Sequence, residues 1–208
     1  MGDLIIKPAS SGSLKIQDQA GTNFITTGTS SGLTLDSGVT FPAGHIIQIA
    51  QATKTATETF NNDNWTTAIS SLNPSFVTKK ANSKVLVETN QFWGCAEGGA
   101  EGVGVRLHRN DGTGYAEVTA TRDGTVTPSC WFNVPAFSGD DYAPQGVTAS
   151  FLDSPSVAAG TTLTYAFYPR PLHSSYPVYL NVGKNTSNSS SLGRWRPLTT
   201  ATIMEIAA

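Results

Sequence analysis

Residues 84–93 read Lys-Val-Leu-Val-Glu-Thr-Asn-Gln-Phe-Trp, and in the first part of this stretch one set of alternate residues is β-branched and the other is mostly polar. In an extended backbone, Val85, Val87 and Thr89 lie on one face, and the residues between them, beginning with Leu86, lie on the other. A period of two residues is typical of a β-strand with one buried face. This stretch therefore predicts a strand whose valine side chains point into a core.

Nine further segments from about residue 45 onward have strand character, and turn residues separate them. Asn110-Asp111-Gly112 is the clearest turn because these residue types tolerate a positive φ, and Pro155 and Gly160 enclose another. Short strands at this spacing predict an all-β jelly roll or a related two-sheet sandwich, and no segment predicts a helix. The nine segments are Ile46–Ala52, Trp65–Ile69, Val103–Arg109, Ala116–Arg122, Cys130–Val134, Gly146–Leu152, Thr161–Tyr168, Val178–Val182 and Ala201–Ile206.

The amino-acid composition points to the same fold class. Charged residues make up 13% of the 208 positions, which is about half of the roughly 25% usual in soluble domains. The sequence contains 27 threonines and 21 serines, so we expect neutral hydroxyl groups to hydrate much of the surface. Threonine, valine and aromatic side chains fit a pleated sheet better than a helix face.

The charge pattern argues against nucleic acid and membrane as partners. The net charge is −2, and dense basic groups such as Arg194-Trp195-Arg196 are too short to form an electrostatic footprint. No apolar run approaches the roughly 18 residues of a membrane span. Residues 1–8 lack the basic start and long apolar core of a signal peptide, so we expect synthesis in a cytoplasm without export by the usual route.

The first 44 residues consist of short apolar segments separated by glycine and serine turns. Ordering about forty residues costs roughly 1–2 kcal/mol each, whereas burying about a dozen apolar side chains returns roughly 1.5–3 kcal/mol each. The segment is therefore either disordered, or identical copies wrap together and share a core. The second alternative predicts a parallel homotrimeric shaft with six side chains at or near its axis: Ile6, Leu14, Ile16, Phe24, Leu33 and Leu35.

Phe41-Pro42-Ala43-Gly44 marks the predicted end of this shaft, because proline and glycine interrupt strands. The sequence thus predicts two regions, an N-terminal attachment segment and shaft over residues 1–44 and a β-sandwich head over residues 45–208.

The residues that carry out most enzymatic reactions are sparse. The three histidines, His45, His108 and His173, have no Gly-x-Ser-x-Gly motif to accompany them. The two cysteines, Cys95 and Cys130, are too few to form a metal site; two reduced thiols are expected, with a bridge between neighbouring strands as the alternative. The sequence therefore predicts no catalytic residue, no cofactor and no metal ion.

Saccharide recognition is the binding chemistry that the sequence leaves open, because aromatic faces next to amides and hydroxyls bind sugars. Trp65, Trp131 and Trp195 fit this role, although filling a sandwich core or a trimer seam is the alternative for each. Loop residues are better placed to be exposed. The candidate receptor contacts are Asp140, Asp141, Tyr142 and Tyr176.

Four stretches of the chain resemble bacteriophage appendage proteins, particularly the tail-fibre and head-fibre proteins of marine and cyanobacterial phages. Residues 29–48 resemble the junction between shaft and head in that group, and residues 81–87 and 106–109 resemble two strands of the head. Residues 198–207 are similar to the final strand of the same heads. Together these motifs touch most of the chain.

The resemblance implies a homotrimer with an N-terminal attachment segment, a short shaft and a C1q- or TNF-like head. Such a protein would be made in the bacterial host cytoplasm and displayed on the virion surface. Leu4, Ile5 and Ile6 could add a strand to another virion protein of the capsid, tail or an adaptor; the alternative is that residues 1–8 merely begin the shaft. Two functions follow: the head attaches to a host surface glycan or protein, or the chain is purely architectural, as a head fibre, decoration or adaptor protein.

Overall fold

The computed structural model describes residues 15–17, 19–20, 23–27, 33–35, 42–95, 102–125, 129–134, 144–173, 176–183 and 196–208. The chain forms two compact units, Met1–Pro42 and Ala43–Ala208. The boundary between them lies two residues before the one expected at residue 44.

The first unit contains three short strands, β1 (Lys15–Gln17), β2 (Asn23–Thr27) and β3 (Leu33–Leu35). They form an antiparallel sheet in the order β1-β2-β3, with Ile25 paired to Ile16 on one side and to Leu35 on the other. Two of the apolar segments of the first 44 residues, around residues 15–17 and 33–35, thus form strands, and in one chain these strands pair with β2 between them.

The second unit is built from two antiparallel sheets. The larger sheet has the order β4-β14-β7-β13-β5, in which β14 and β13 pair with different parts of one edge of the long strand β7. The strand β11 pairs with the opposite edge of β7. The smaller sheet has the order β10-β8-β12-β6, and β9 also pairs with β8. The strands are β4 (Ile46–Lys54), β5 (Glu58–Phe60), β6 (Ser75–Val77), β7 (Lys84–Cys95), β8 (Val103–Asn110), β9 (Tyr115–Glu117), β10 (Phe132–Val134), β11 (Gln145–Asp153), β12 (Thr162–Pro171), β13 (Val178–Leu180) and β14 (Thr199–Ile206).

The strand order is that of a jelly roll. Successive long strands alternate between the sheets: β7 lies in the larger sheet, β8 in the smaller, β11 in the larger, β12 in the smaller and β14 in the larger. The prediction of an all-β, jelly-roll-like sandwich is therefore confirmed. Within the described ranges, the one helical element is a single 3-10 turn, Thr119–Thr121.

The core lies between the sheets and is filled by alternate residues of each strand. Val85, Val87 and Trp93 of β7 are fully buried, and Leu163 and Phe167 of β12 face them from the other sheet within the same apolar cluster. This arrangement confirms the period-two interpretation of residues 84–93.

Polar groups in the core are hydrogen-bonded to each other. The indole Nε1 of Trp93 donates to Gln91 Oε1 at 3.1 Å, and Gln91 Nε2 donates to Thr89 Oγ1 at 3.1 Å. Because buried polar groups are costly when unpaired, this chain of bonds lets a strand that carries Gln and Thr face the core.

Two of the expected strands were wrong, and two strands were missed. Residues 65–69 form a loop instead of a strand. Just before this loop, Asn62 Oδ1 accepts hydrogen bonds from the main-chain amide and from Nδ2 of Asn64, both at 3.1 Å, which bends the chain. Residues 116–122 divide into the end of β9 and the 3-10 turn, where Thr121 Oγ1 donates to the carbonyl of Val118 at 2.7 Å. The strands β5 and β6 were missed because three residues are too few to display an alternating pattern.

Candidate functional site

The outer face of the larger sheet carries an exposed apolar row across four neighbouring strands. Met204 of β14 is paired with Ile49 of β4 and with Leu86 of β7, and Leu86 is paired with Leu152 of β11. These four residues, here called the apolar row, alternate with less exposed positions on each strand, so their side chains point away from the core. Leu86 and Met204 in the middle of the row are partly buried. Ile49 is 60% exposed and Leu152 is 46% exposed.

Beside the apolar row, the same face becomes polar and forms a shallow depression of about 210 Å³. Its outward-facing lining residues share amide, hydroxyl or carboxylate groups: Glu88, Asn90, Thr148, Thr200 and Thr202. Gln51 Nε2 donates to Thr202 Oγ1 at 3.0 Å at its margin. The face is therefore divided into an apolar part and a polar, mostly hydroxyl-bearing part.

The outer face of the smaller sheet carries a cluster of arginines around one indole ring. The guanidinium carbon of Arg106 lies 4.3 Å from the ring centroid of Trp65, and that of Arg170 lies 5.8 Å from it. Gly104 pairs with Arg170 across the strands, and a Cβ atom at this glycine would lie 2.9 Å from the Trp65 ring. The absence of a side chain at residue 104 thus lets the indole lie against the sheet.

A single carboxylate serves two of these arginines. Glu117 Oε1 lies 2.6 Å from Arg122 Nε and 3.3 Å from Arg106 Nε, and Arg122 also donates to Ser129 Oγ at 3.2 Å. Arg170 has no ion pair with a carboxylate in the described ranges, and its buried Nε has no hydrogen-bond partner. Arg106, Arg122 and Arg170, here called the arginine cluster, therefore carry two positive charges more than Glu117 balances.

Burial is the main influence on the ionisation of Arg106. It lowers the pKa of this residue, Glu117 opposes it, and the neighbouring Arg122 and Arg170 add smaller lowering effects. An arginine nevertheless stays protonated at any physiological pH, so the cluster keeps its positive charge.

Aromatic rings border the arginine cluster. The rings of His108 and Tyr168 lie 4.0 Å apart between centroids, and Tyr115 meets Tyr168 edge-on at 6.2 Å. Tyr168 is paired directly with Arg106, and Tyr115 is 41% exposed. Burial lowers the pKa of His108, and Arg106 lowers it as well against the attraction of Glu117.

The structure does not bring the sequence-predicted receptor contacts together in the part that it describes. Asp140, Asp141 and Tyr142 lie outside the described residues. Tyr176 is half-buried instead of exposed, because its ring packs 5.2 Å from that of His173 and its amide donates to the His173 carbonyl at 3.2 Å.

The tryptophans named as sugar-binding candidates have different surroundings. Trp131 stacks on the core residue Phe167 with centroids 6.1 Å apart, and it packs against the core. Trp65 is half-buried next to the arginine cluster, and Trp195 lies outside the described residues.

Of the residues predicted for the shaft axis, Ile16 is 50% exposed in the single chain. Phe24, Leu33 and Leu35 lie on β2 and β3, where the backbone alone is described. Ile6 and Leu14, and the docking residues Leu4 and Ile5, lie outside the described residues.

Cys130 carries a free thiol, and burial raises its pKa. Within the described ranges, no group of three His, Cys, Asp or Glu side chains is arranged to hold a metal ion. No helix in that part of the chain is long and apolar enough to cross a membrane.

Sequence reasoning missed the arginine cluster because its members are far apart in the chain. Arg106 and Glu117 lie on the two arms of the hairpin around Asn110-Asp111-Gly112, and His108 pairs with Glu117 across it. Folding the predicted hairpin in register would have brought Arg106 and Glu117 to one face. The approach of Arg170 depends on the pairing of β12 with β8, which no local pattern indicates.

No known protein-family model matches this chain, and no curated protein matches it. Among solved structures, the chain is similar to one titled "Structure of Eiger TNF from S. frugiperda", with 10% sequence identity and a TM-score of 0.31. The match covers 71% of this chain and 100% of the other. The jelly-roll assignment given above rests on the strand pairing within this chain.

Proposed function

We propose that this chain is a non-enzymatic structural protein of a bacteriophage particle: a homotrimeric fibre whose head attaches to the host surface. The observation that carries the proposal is the apolar row on the outer face of the larger sheet. The sequence resemblance to phage appendage proteins supplies the biological setting.

Exposed apolar side chains aligned across a sheet favour association with another surface. Three strand spacings of about 4.8 Å give the apolar row a length of roughly 14 Å. A stable interface buries about 800 Å² on each partner, so the row can supply the apolar centre and the adjoining hydroxyl-rich surface a polar rim. A second copy of the same chain is the proposed occupant.

The N-terminal unit supports assembly of identical copies. Its strands β1–β3 are only three to five residues long, and Ile16 remains half-exposed in one chain. Copies that contribute their own β1–β3 sheets would cover such side chains. Closed rotational symmetry then gives a trimeric shaft that continues into three heads.

Equilibrium sedimentation tests the assembly. The intact chain is expected to sediment at three times 21.9 kDa. The double variant I49K/L152K places two charges in the apolar row and should shift the equilibrium toward monomer, because an interface that buries unpaired charge is strongly disfavoured.

The matched control is Q51K/S150K, which adds the same charges in the neighbouring polar row on the same strands. It is expected to leave the trimer largely intact. A folded monomer at all concentrations, or equal effects of the two double variants, would contradict the proposal.

Particle imaging distinguishes attachment from a purely architectural role. Labelled antibody against the head should mark the distal end of the tail if the protein binds the host, whereas capsid labelling would replace this function with that of a head fibre or decoration protein.

We also propose that Leu4, Ile5 and Ile6 dock the chain to another virion protein. A chain lacking residues 1–8 should then form trimers that are absent from the labelled particles, and normal incorporation would place the anchor elsewhere.

A further inference from the structure

We propose that the arginine cluster binds an oxyanion, the carboxylate, sulfate or phosphate group of an acidic glycan. The glycan part of this inference rests on the proposed attachment function, whereas the oxyanion site stands on the geometry alone. Arg170 is the residue that makes the principal contact.

The first argument is charge. Arg106 and Arg122 share Glu117, and Arg170 has no carboxylate partner in the described ranges. A net charge of −2 for the whole chain makes a local excess of two positive charges notable. An anion carrying one or two negative charges would balance this excess.

The second argument is the preorganisation of the donors. Arg106 is fixed from two sides, because its Nε donates to the Ser129 carbonyl at 3.0 Å and its guanidinium lies over Trp65. Arg170 lies near the same ring, and among the described residues its buried Nε has no hydrogen-bond partner. An arginine offers five donors in a rigid fork that matches an oxyanion. A ligand cannot reach a buried Nε, so an oxyanion would bind the terminal NH₂ groups of the two guanidinium groups, which the Trp65 ring holds near each other.

The third argument is the aromatic border. Tyr168 lies directly beside Arg106 in the strand register, and Tyr115 beyond it is exposed. Aromatic faces with polar rims bind sugar rings through their apolar sides. An acidic saccharide could place its charged group on the arginines and its ring against Tyr115, and a free inorganic anion would use the arginines alone.

The experiment is calorimetric titration of the full-length protein with sodium sulfate, sodium phosphate, glucuronate and glucose, supported by NMR of the arginine Nε–H and Trp65 indole signals. Sulfate, phosphate or glucuronate should bind and shift the Trp65 signal. Tighter binding of glucuronate than of the inorganic anions would identify the saccharide as the source, and equal binding would limit the site to a simple oxyanion. Glucose alone should not bind.

Arg170→Gln is expected to raise the Kd for an oxyanion about tenfold or more, because losing one hydrogen bond between charged groups weakens binding by at least that factor. R196Q removes an equal charge from an exposed arginine and should leave binding unchanged. If Arg170→Gln perturbs folding, Arg170→Lys keeps the charge without the fork and should give intermediate binding.

Absence of binding by all three anions, or equal losses in R170Q and R196Q, would overturn the site and show that the cluster only clamps Trp65. Neither result depends on whether the protein forms trimers or joins particles.

Discussion

Gly104 shows how one missing side chain organises a surface. It lies on β8 beneath the Trp65 ring, and a Cβ atom there would lie 2.9 Å from Trp65 Cη2 and 3.4 Å from Cys130 Sγ. Trp65 in turn contacts two arginines that come from different strands. The position of the arginine cluster therefore depends on a residue that contributes no functional group.

Gly104→Ala is expected to displace the Trp65 ring and to lower the free energy of unfolding by about 1–3 kcal/mol, the usual cost of overpacking. Urea denaturation and the Trp65 indole NMR signal measure the two effects. Gly124→Ala is the matched control, because a Cβ atom there meets nothing within 4 Å, and it should change stability by less than about 0.5 kcal/mol. Equal stabilities of the two variants would contradict the packing argument.

At the scale of elements, the end of β13 holds several strands together through one side chain. Asn181 is fully buried with φ at 60°. Its Nδ2 donates to the carbonyls of Lys54 at 2.8 Å and Ala56 at 3.2 Å, and its Oδ1 accepts from Thr199 Oγ1 at 2.6 Å. These bonds connect β13 to the end of β4 and the start of β14.

Asn181→Ala is expected to lower the free energy of unfolding by about 2–4 kcal/mol, because the buried Thr199 hydroxyl and the carbonyls lose their partner. Alanine also tolerates the positive φ less well than asparagine does. Thermal and urea unfolding measure the loss. Asn133→Ala on β10 removes an exposed amide and should be nearly neutral; a comparable loss there would argue against the network.

The long strands were predictable from the sequence and the short ones were not. Residues 84–93 alternate over enough positions to indicate a buried face, and β7 extends over Lys84–Cys95. The three-residue strands β5 and β6 exist because β13 and β12 pair with them, so their cause is tertiary. The same is true of the approach of Arg170 to Arg106, which depends on the pairing of β12 with β8 between residues that have no local relation.

At the scale of the whole molecule, the two outer faces of the sandwich differ in chemistry. The larger sheet exposes Ile49 and Leu152 beside a polar, mostly hydroxyl-bearing surface, whereas the smaller sheet exposes arginine and tyrosine. Apolar rows favour contacts with identical copies, and charged, aromatic surfaces favour ligands. This division lets the proposed assembly and the proposed attachment occupy different faces of one head.

The first and last strands of the head also determine how it would carry mechanical load. The amide of Gly44 donates to the Ala207 carbonyl at 2.8 Å, the amide of Ala207 donates to the His45 carbonyl at 2.8 Å, and eight residue pairs follow between β4 and β14. Tension that enters at Ala43 along the axis of β4 acts on all eight pairs in shear, whereas tension across that axis opens them one at a time from the pair of Ile46 and Ile206. A fibre that holds a moving particle to a surface would therefore resist pulling along β4 far better than peeling away from it.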